Sequence, residues 1–267
     1  MLTSATDGEL LLVAVHPEPF VVLPPELGWT TMREQAETVL RRTRDELAPG
    51  ARIVVETDWS VPRALERVVR REHRNLLVMG SSRRGPEGHV GIGKRTRQLL
   101  CHFRCALAVA PRGMSAHRGL RLAHIGVGYD GSAESEAALA LAGSIAAAAA
   151  ARISVRGVVD DRIPGLVWTR YAQEQVSGMW SELLAPEAES LRVKAQAAAD
   201  ATGASAEVDV RRGRPADELR ELGEGVDLLV IGSRRWGATA RVLLGSTGEA
   251  LLQDATCPVL MVPRPRQ

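Results

Sequence analysis

Residues 76–112 repeat as residues 228–264 at a constant shift of 152 positions, without a gap. Both segments open on an apolar run that ends in glycine: Leu76-Leu77-Val78-Met79-Gly80 and Leu228-Leu229-Val230-Ile231-Gly232. The same register pairs Ser81 with Ser233, Arg83 with Arg235, Gly85 with Gly237 and Gly93 with Gly245. It continues through Leu99-Leu100 with Leu251-Leu252, Cys105 with Cys257, and Pro111-Arg112 with Pro263-Arg264. Such a register marks a duplication, so the two halves are expected to share one fold. The copies span residues 1–112 and 120–267, and residues 113–119, with Gly113, Ser115 and Gly119, read as the linker.

The second copy carries the clearer pattern. Apolar, β-rich runs recur near 120–128, 153–159, 206–210, 227–231 and 257–262, with helix-like segments near 133–150, 178–202, 215–222 and 246–254 between them. Alternation of this kind predicts an α/β fold, two tandem doubly wound parallel sheets, because parallel strands need crossover helices. Ligands in such sheets sit beyond the carboxyl ends of the strands. The uncharged run Ala137 to Ala151 is too short to span a bilayer, and Ser132 with Glu134 and Glu136 before it reads as a helix start.

Charge and cysteines narrow the function. The chain has 34 basic and 32 acidic residues, a formal charge of +2, which supplies no overall field to draw it to nucleic acid or an anionic membrane. Arg211, Arg212 and Arg214 read as a solvated face. Cys101, Cys105 and Cys257 form no CxxC pair and no metal-ligand spacing with the histidines, so no metal site and a reduced, cytoplasmic protein are expected. Asp7 and Glu9 precede the first apolar run, which is unlike a secretory signal.

The strand at 227–231 runs into Gly232-Ser233-Arg234-Arg235-Trp236-Gly237, and Gly245-Ser246-Thr247 then opens an apolar helix. A helix amino end offers unpaired N–H groups and a positive dipole end, and flanking glycines admit a phosphate to the backbone. Here the chain resembles the universal stress protein family, whose ATP-binding members carry Gly-x2-Gly-x9-Gly-(Ser/Thr) after the fourth strand. The resemblance implies the strand order 3-2-1-4-5 and a nucleotide site for ATP, with magnesium. Gly232 stands at the first glycine, Gly245 at the third and Ser246 at the phosphate-contacting hydroxyl, with Thr247 beside it. Arg235 replaces the second glycine; Gly237 is the nearest flexible position, and Arg234 or Arg235 is placed to face phosphate. Asp130, in Tyr129-Asp130-Gly131-Ser132, matches the family's aspartate beside the nucleoside, and Val158 the valine lining the adenine slot. A plainer reading stands beside this one: Ser246 with Glu249 also spells a capping box, and Asp130 a turn into a helix.

The first copy differs. Gly80 and Gly93 match, but Arg83 replaces the second glycine and Lys94 the hydroxyl residue. The run Gly88 to Lys94 looks like a P-loop, yet Arg95 occupies the position that needs Ser or Thr. Lys94, Arg95 and Arg97 crowd a helix amino end, which calls for an anion or an acidic neighbour. Aligning Leu10 to Pro17 with Ile153 to Asp160 leaves only residues 1–9 where the second copy has a strand, Asp130 and an alanine-rich helix. The first copy is therefore expected to lack its opening strand and helix. Either its second and fourth strands close up on each other, or the chain begins downstream of its natural start with local disorder.

The family reading makes this a non-catalytic ATP-binding stress-response protein. Its last strands, residues 106–110 and 258–262, are expected to pair the copies as an intrachain pseudo-dimer, with a homodimer as a further association. An ATP-using hydrolase or ligase of a related fold is one alternative. The ATP-pyrophosphatase-like members of that class carry a Ser-Gly-Gly-x-Asp-Ser loop, which Gly128 to Ser132 does not reproduce. The other is a nucleotide-free scaffold.

Overall fold

The computed structural model describes residues 8–16, 29–82, 85–93, 105–114, 121–162, 170–233 and 245–263. In chain order the elements are β1 (Leu11–His16), α1 (Trp29–Leu47), β2 (Arg52–Thr57), α2 (Val61–Arg71), β3 (Leu76–Gly80) and β4 (Ala106–Ala110). The second half follows with β5 (His124–Tyr129), α3 (Ala133–Ala149), β6 (Arg152–Val159), α4 (Arg170–Asp200), β7 (Ala206–Arg212), α5 (Pro215–Glu224), β8 (Leu228–Gly232), α6 (Ser246–Asp254) and β9 (Val259–Val262). Most of the residues assigned to the linker lie outside the described residues.

Seven strands form one sheet in the order β3-β4-β9-β8-β5-β6-β7. From β7 inward, the second half runs third, second, first, fourth, fifth, and all its neighbours are parallel. At β9 the direction reverses. β4 pairs antiparallel with β9, with Leu107 opposite Met261 and Val109 opposite Val259, so the two halves share a sheet. The duplication is visible in single bonds: the Ser81 N–H donates to the Ala110 carbonyl at 3.0 Å, and the Ser233 N–H, 152 residues on, donates to the Val262 carbonyl at 2.9 Å.

Side chains alternate between two cores, as the strand period of two requires. On one face Ile125, Val127, Ile153, Val155, Leu228, Val230 and Leu260 meet α3 and α4 through Ala138, Leu139, Ala142, Ala195 and Ala199. Alanine is what lets α3 lie close to the sheet. On the other face Leu107, Val109, Leu229, Ile231 and Met261 meet Leu219 and Leu222 of α5 and Leu251 and Leu252 of α6. Each fully buried leucine stabilises the fold by about 1.5–3 kcal/mol. Leu228, Leu229, Leu251, Leu252 and Leu260 are all fully buried, whereas Leu76 and Leu77, the repeats of the first two, are only partly so. Stability is therefore concentrated in the second half.

The first half departs from the expectation that its second and fourth strands close up. Among the described residues β1 pairs only with β2, in a separate two-stranded parallel sheet, and β3 pairs only with β4. The packing of α2 links the two pieces: around its buried Leu65 gather Val13 and Val15 of β1 and Leu77 and Met79 of β3.

Cys105 and Cys257 are free thiols. Burial pushes both up to about 11. The unfolded thiols ionise near 9, so the folded protein holds more protons between about pH 9 and 11 and must lose stability as pH rises through that window. We expect the denaturation midpoint to fall from pH 8 to pH 10.5, and the fall to shrink in Cys257→Ala. An unchanged pH slope in that variant would show that the Cys257 thiol titrates freely in the fold.

Candidate functional site

The crossovers of a parallel sheet return each helix amino end to the carboxyl edge of the strands, and there the second half gathers most of its singled-out residues. β5 ends at Tyr129, and the turn Asp130-Gly131-Ser132 leads into α3. Gly131 takes φ +75, in the left-handed region that glycine enters without strain. One carboxylate oxygen of Asp130 accepts the Ser132 N–H at 3.0 Å and also the Ser132 hydroxyl. Ser132 in turn caps α3, accepting the Ser135 N–H at 3.2 Å. Asp130 is exposed at this edge, and it also builds the turn that the plainer reading assigns to it.

Gly232 closes β8. A Cβ at this position would lie 2.6 Å from the Glu134 carbonyl carbon and 2.8 Å from the Ser135 nitrogen. The end of β8 thus abuts the first turn of α3, a contact only glycine permits. The sequence motif marks Gly232 but gives no sign of its partner, because nothing local connects residue 232 with residue 134.

α6 begins differently from the capping-box reading. Its N-cap is Gly245, with φ −66 and ψ 158 and no side-chain cap, and Ser246 is already the first helical residue. A capping box needs Ser at the N-cap with Glu at the third helical position, and Glu249 is one residue too late for the box to start at Gly245. Ser246 is exposed and Thr247 half-buried beside it. The N-cap residue of α6 thus has no side chain with which to cover the first-turn N–H groups. Arg234, Arg235 and Gly237 lie outside the described residues.

Val158 sits near the end of β6, partly buried against the cluster that contains Leu219 and Ile231. Just beyond it the Arg162 guanidinium, donating to Asp160 at 2.8 and 3.0 Å, holds that carboxyl below its ordinary range. Arg211, across from Val158 on β7, is taken up by Asp209 at 2.9 Å and Glu221 at 2.7 Å. Its charge is neutralised by neighbours within the fold.

The P-loop look-alike in the first half is used up internally. The Val90 and Ile92 N–H groups donate to the Ala255 and Leu252 carbonyls at 2.7 and 3.1 Å, the Gly91 N–H to the Ser81 hydroxyl at 3.0 Å, and the Gly88 N–H to the Arg112 carbonyl at 2.9 Å. A phosphate cradle needs those donors free. Residues 94–104, with Lys94, Arg95 and Arg97, lie outside the described residues. An open groove of about 510 Å³ runs along α2, lined by Arg63, Glu66, Arg67, Arg70 and Arg71. It touches none of the site residues, and Arg67 and Arg71 are paired with Glu56, Asp58 and Glu72.

Residues 122–263 match the model of the universal stress protein family. A universal stress protein of Thermus aquaticus is 32% identical over 137 residues, covering 50% of this chain and 93% of that protein. One from Methanocaldococcus jannaschii is 35% identical over 95 residues, or 34% of this chain and 56% of that one. The chain spans about half the length of several curated relatives it matches, among them a Mycobacterium tuberculosis universal stress protein, 31% identical with 46% of its length covered. In fold, the crystal structure of a universal stress protein from Archaeoglobus fulgidus aligns over 99% of this chain and 93% of that one, with TM-score 0.66 at 19% identity.

Proposed function

Because this chain belongs to the universal stress protein family, we propose that it is a non-catalytic ATP-binding stress-response protein whose nucleotide is held by the second half. The observation that carries this reading is the glycine N-cap of α6 at Gly245, set at the same sheet edge as Asp130 and Gly232. Gly245, Ser246 and Thr247 take the phosphates, with Arg234 or Arg235 closing over them. Asp130 takes the ribose hydroxyls, and Val158 lines the adenine slot. Magnesium arrives with the phosphates; among the described residues no group of His, Cys, Asp and Glu could hold a metal ion.

The reading extends to the architecture. The antiparallel β4–β9 seam supports a tandem pair of copies related by a pseudo-twofold axis, the intrachain equivalent of a dimer. The free thiols Cys105 and Cys257 favour a reducing, cytoplasmic compartment, and no described helix is long and apolar enough to cross a membrane.

Phosphoryl transfer at enzyme rates is not expected: among the described residues at this edge, the Asp130 carboxylate is occupied by Ser132 and is not free to activate water. Steady-state assays should show less than one turnover per minute, on the order of a hundredfold or more below ordinary kinases. Rapid multiple turnover that Ser246→Ala abolishes would instead favour the hydrolase or ligase alternative.

A scaffold without nucleotide is the second reading, favoured by the structural duties of two site residues. Asp130 builds its turn and Gly232 avoids α3, whether or not a ligand is present. Calorimetry with ATP separates the two, since the scaffold gives no binding heat.

A further inference from the structure

α2 follows β2 and leads to β3, as α5 follows β7 and leads to β8, the repeat of β3. Their charges are opposite. α2 carries Arg63, Arg67, Arg70 and Arg71 against Glu66, whereas α5 carries Asp217, Glu218, Glu221 and Glu224 against Arg220. A helix at this place in the fold therefore has no need to be basic. The basic row also works against its own helix. Arg63 lies in a first turn that holds no acidic residue, where the helix dipole disfavours a cation. Arg63 with Arg67, and Arg67 with Arg71, stand four residues apart, the spacing at which like charges repel.

The surroundings brace this row in two layers. Asp58, Glu56 and Glu72, with side chains only 8, 13 and 14% exposed, form the inner layer, and Arg67 and Arg71, 43 and 49% exposed, lie outside them. Arg67 donates to Asp58 at 2.8 Å and to Glu56 at 3.2 Å, and Arg71 donates to Glu56 at 2.7 Å and to Glu72 at 3.1 Å. A guanidinium has five N–H donors, so each of the two is oriented by its acids and keeps donors for a second partner. Arg63 and Arg70 are exposed on either side of Arg67, and among the described residues neither forms an ion pair. All four arginines line the open groove of about 510 Å³, together with Glu66.

We propose that the α2 groove is a second anion site, separate from the nucleotide cradle, and that it takes a linear oligophosphate. Arginine forks match phosphate oxygens in pairs and stay charged at every physiological pH. Arg63 and Arg70 lie seven residues apart, about 10 Å along the helix axis, so a run of phosphates serves both without drawing the side chains together. Arg67 and Arg71, already oriented from beneath, hold the middle and the end of the run. The groove has the volume of a small-molecule site, which favours a compact anion over an acidic polypeptide. A bound anion also relieves the repulsion along α2 and the unfavourable place of Arg63.

The probe is inorganic tripolyphosphate, titrated calorimetrically into the full chain carrying Gly245→Glu, so that phosphate binding at the cradle does not contribute. Saturable binding is expected, weakening as salt is raised because the charges are exposed. Adding Arg63→Gln and Arg70→Gln should weaken it roughly tenfold or more, the scale of two lost charge-assisted contacts. Neither residue forms an ion pair among the described residues, so the circular dichroism spectrum and melting temperature should stay those of the Gly245→Glu chain. The same pair of substitutions in the parent chain should weaken tripolyphosphate while leaving ATP at the cradle unaffected, which separates failure of this site from failure of the other. Three results overturn the proposal: no saturable binding in the Gly245→Glu chain, binding unchanged by the two arginine substitutions, or a hexaglutamate peptide binding more tightly than tripolyphosphate, which would assign the groove to an acidic polypeptide.

Discussion

Gly232→Ala is expected to cost about 3 kcal/mol, the upper part of the range for overpacking, because its new methyl meets backbone and not a movable side-chain tip. The obstacle is the first turn of α3, with the Glu134 carbonyl carbon 2.6 Å from the ideal Cβ position and its oxygen 2.8 Å away. Relief requires α3 to lift from the sheet, which opens the core around Ala138 and Ala142, or β8 to bend away from β5. For a chain of this size the melting temperature should drop by roughly 6–12 °C. The repeat supplies the control. Gly80→Ala, the same residue in the same register, meets nothing within 4 Å and should shift the melting temperature little. Equal effects at the two sites would mean that the halves are packed alike, contrary to the asymmetry described above.

Gly245→Glu is expected to remove nucleotide binding and keep the fold. With φ −66 and ψ 158 at Gly245, the backbone accepts any side chain. A carboxylate at the amino end of α6 also suits the helix dipole, by some tenths of a kcal/mol. It occupies the place proposed for phosphate with a charge of the same sign. Affinity for ATP should fall by at least about a hundredfold, the scale of a lost charge-assisted bond plus repulsion. The circular dichroism spectrum and melting temperature should stay close to those of the parent. Unchanged affinity in calorimetry would move the site away from α6.

Much of this was legible from the chain. The repeat register of 152 predicts the matched strands β3 and β8, the alternation of strands and helices predicts a parallel α/β sheet, and the order found from β7 to β9 is the one the family resemblance implies. What escaped the sequence depends on distant contacts. Ser246 and Glu249 spell a capping box, but α6 takes its N-cap one residue earlier, at Gly245, so the spelling misleads. Gly88 to Lys94 resembles a P-loop until α6, far along the chain, claims the N–H groups of Val90 and Ile92. The helix expected from residue 178 begins at Arg170, and Pro186, a local signal against helix, lies within it. The fate of the orphaned first-half strands was also open: β1 stays with β2, tied to β3 by α2 and by the Arg74–Glu9 pair.

Occupancy of the second-half site by an adenine nucleotide is tested most directly on the unaltered chain. Protein purified without added nucleotide is denatured, and the released small molecules are separated by chromatography, with calorimetric titration of ATP into the stripped protein. The proposed site predicts adenine nucleotide released in proportion to the chain, or saturable ATP binding once it is stripped. Protein that releases no nucleotide and takes up no ATP at millimolar concentration would contradict it.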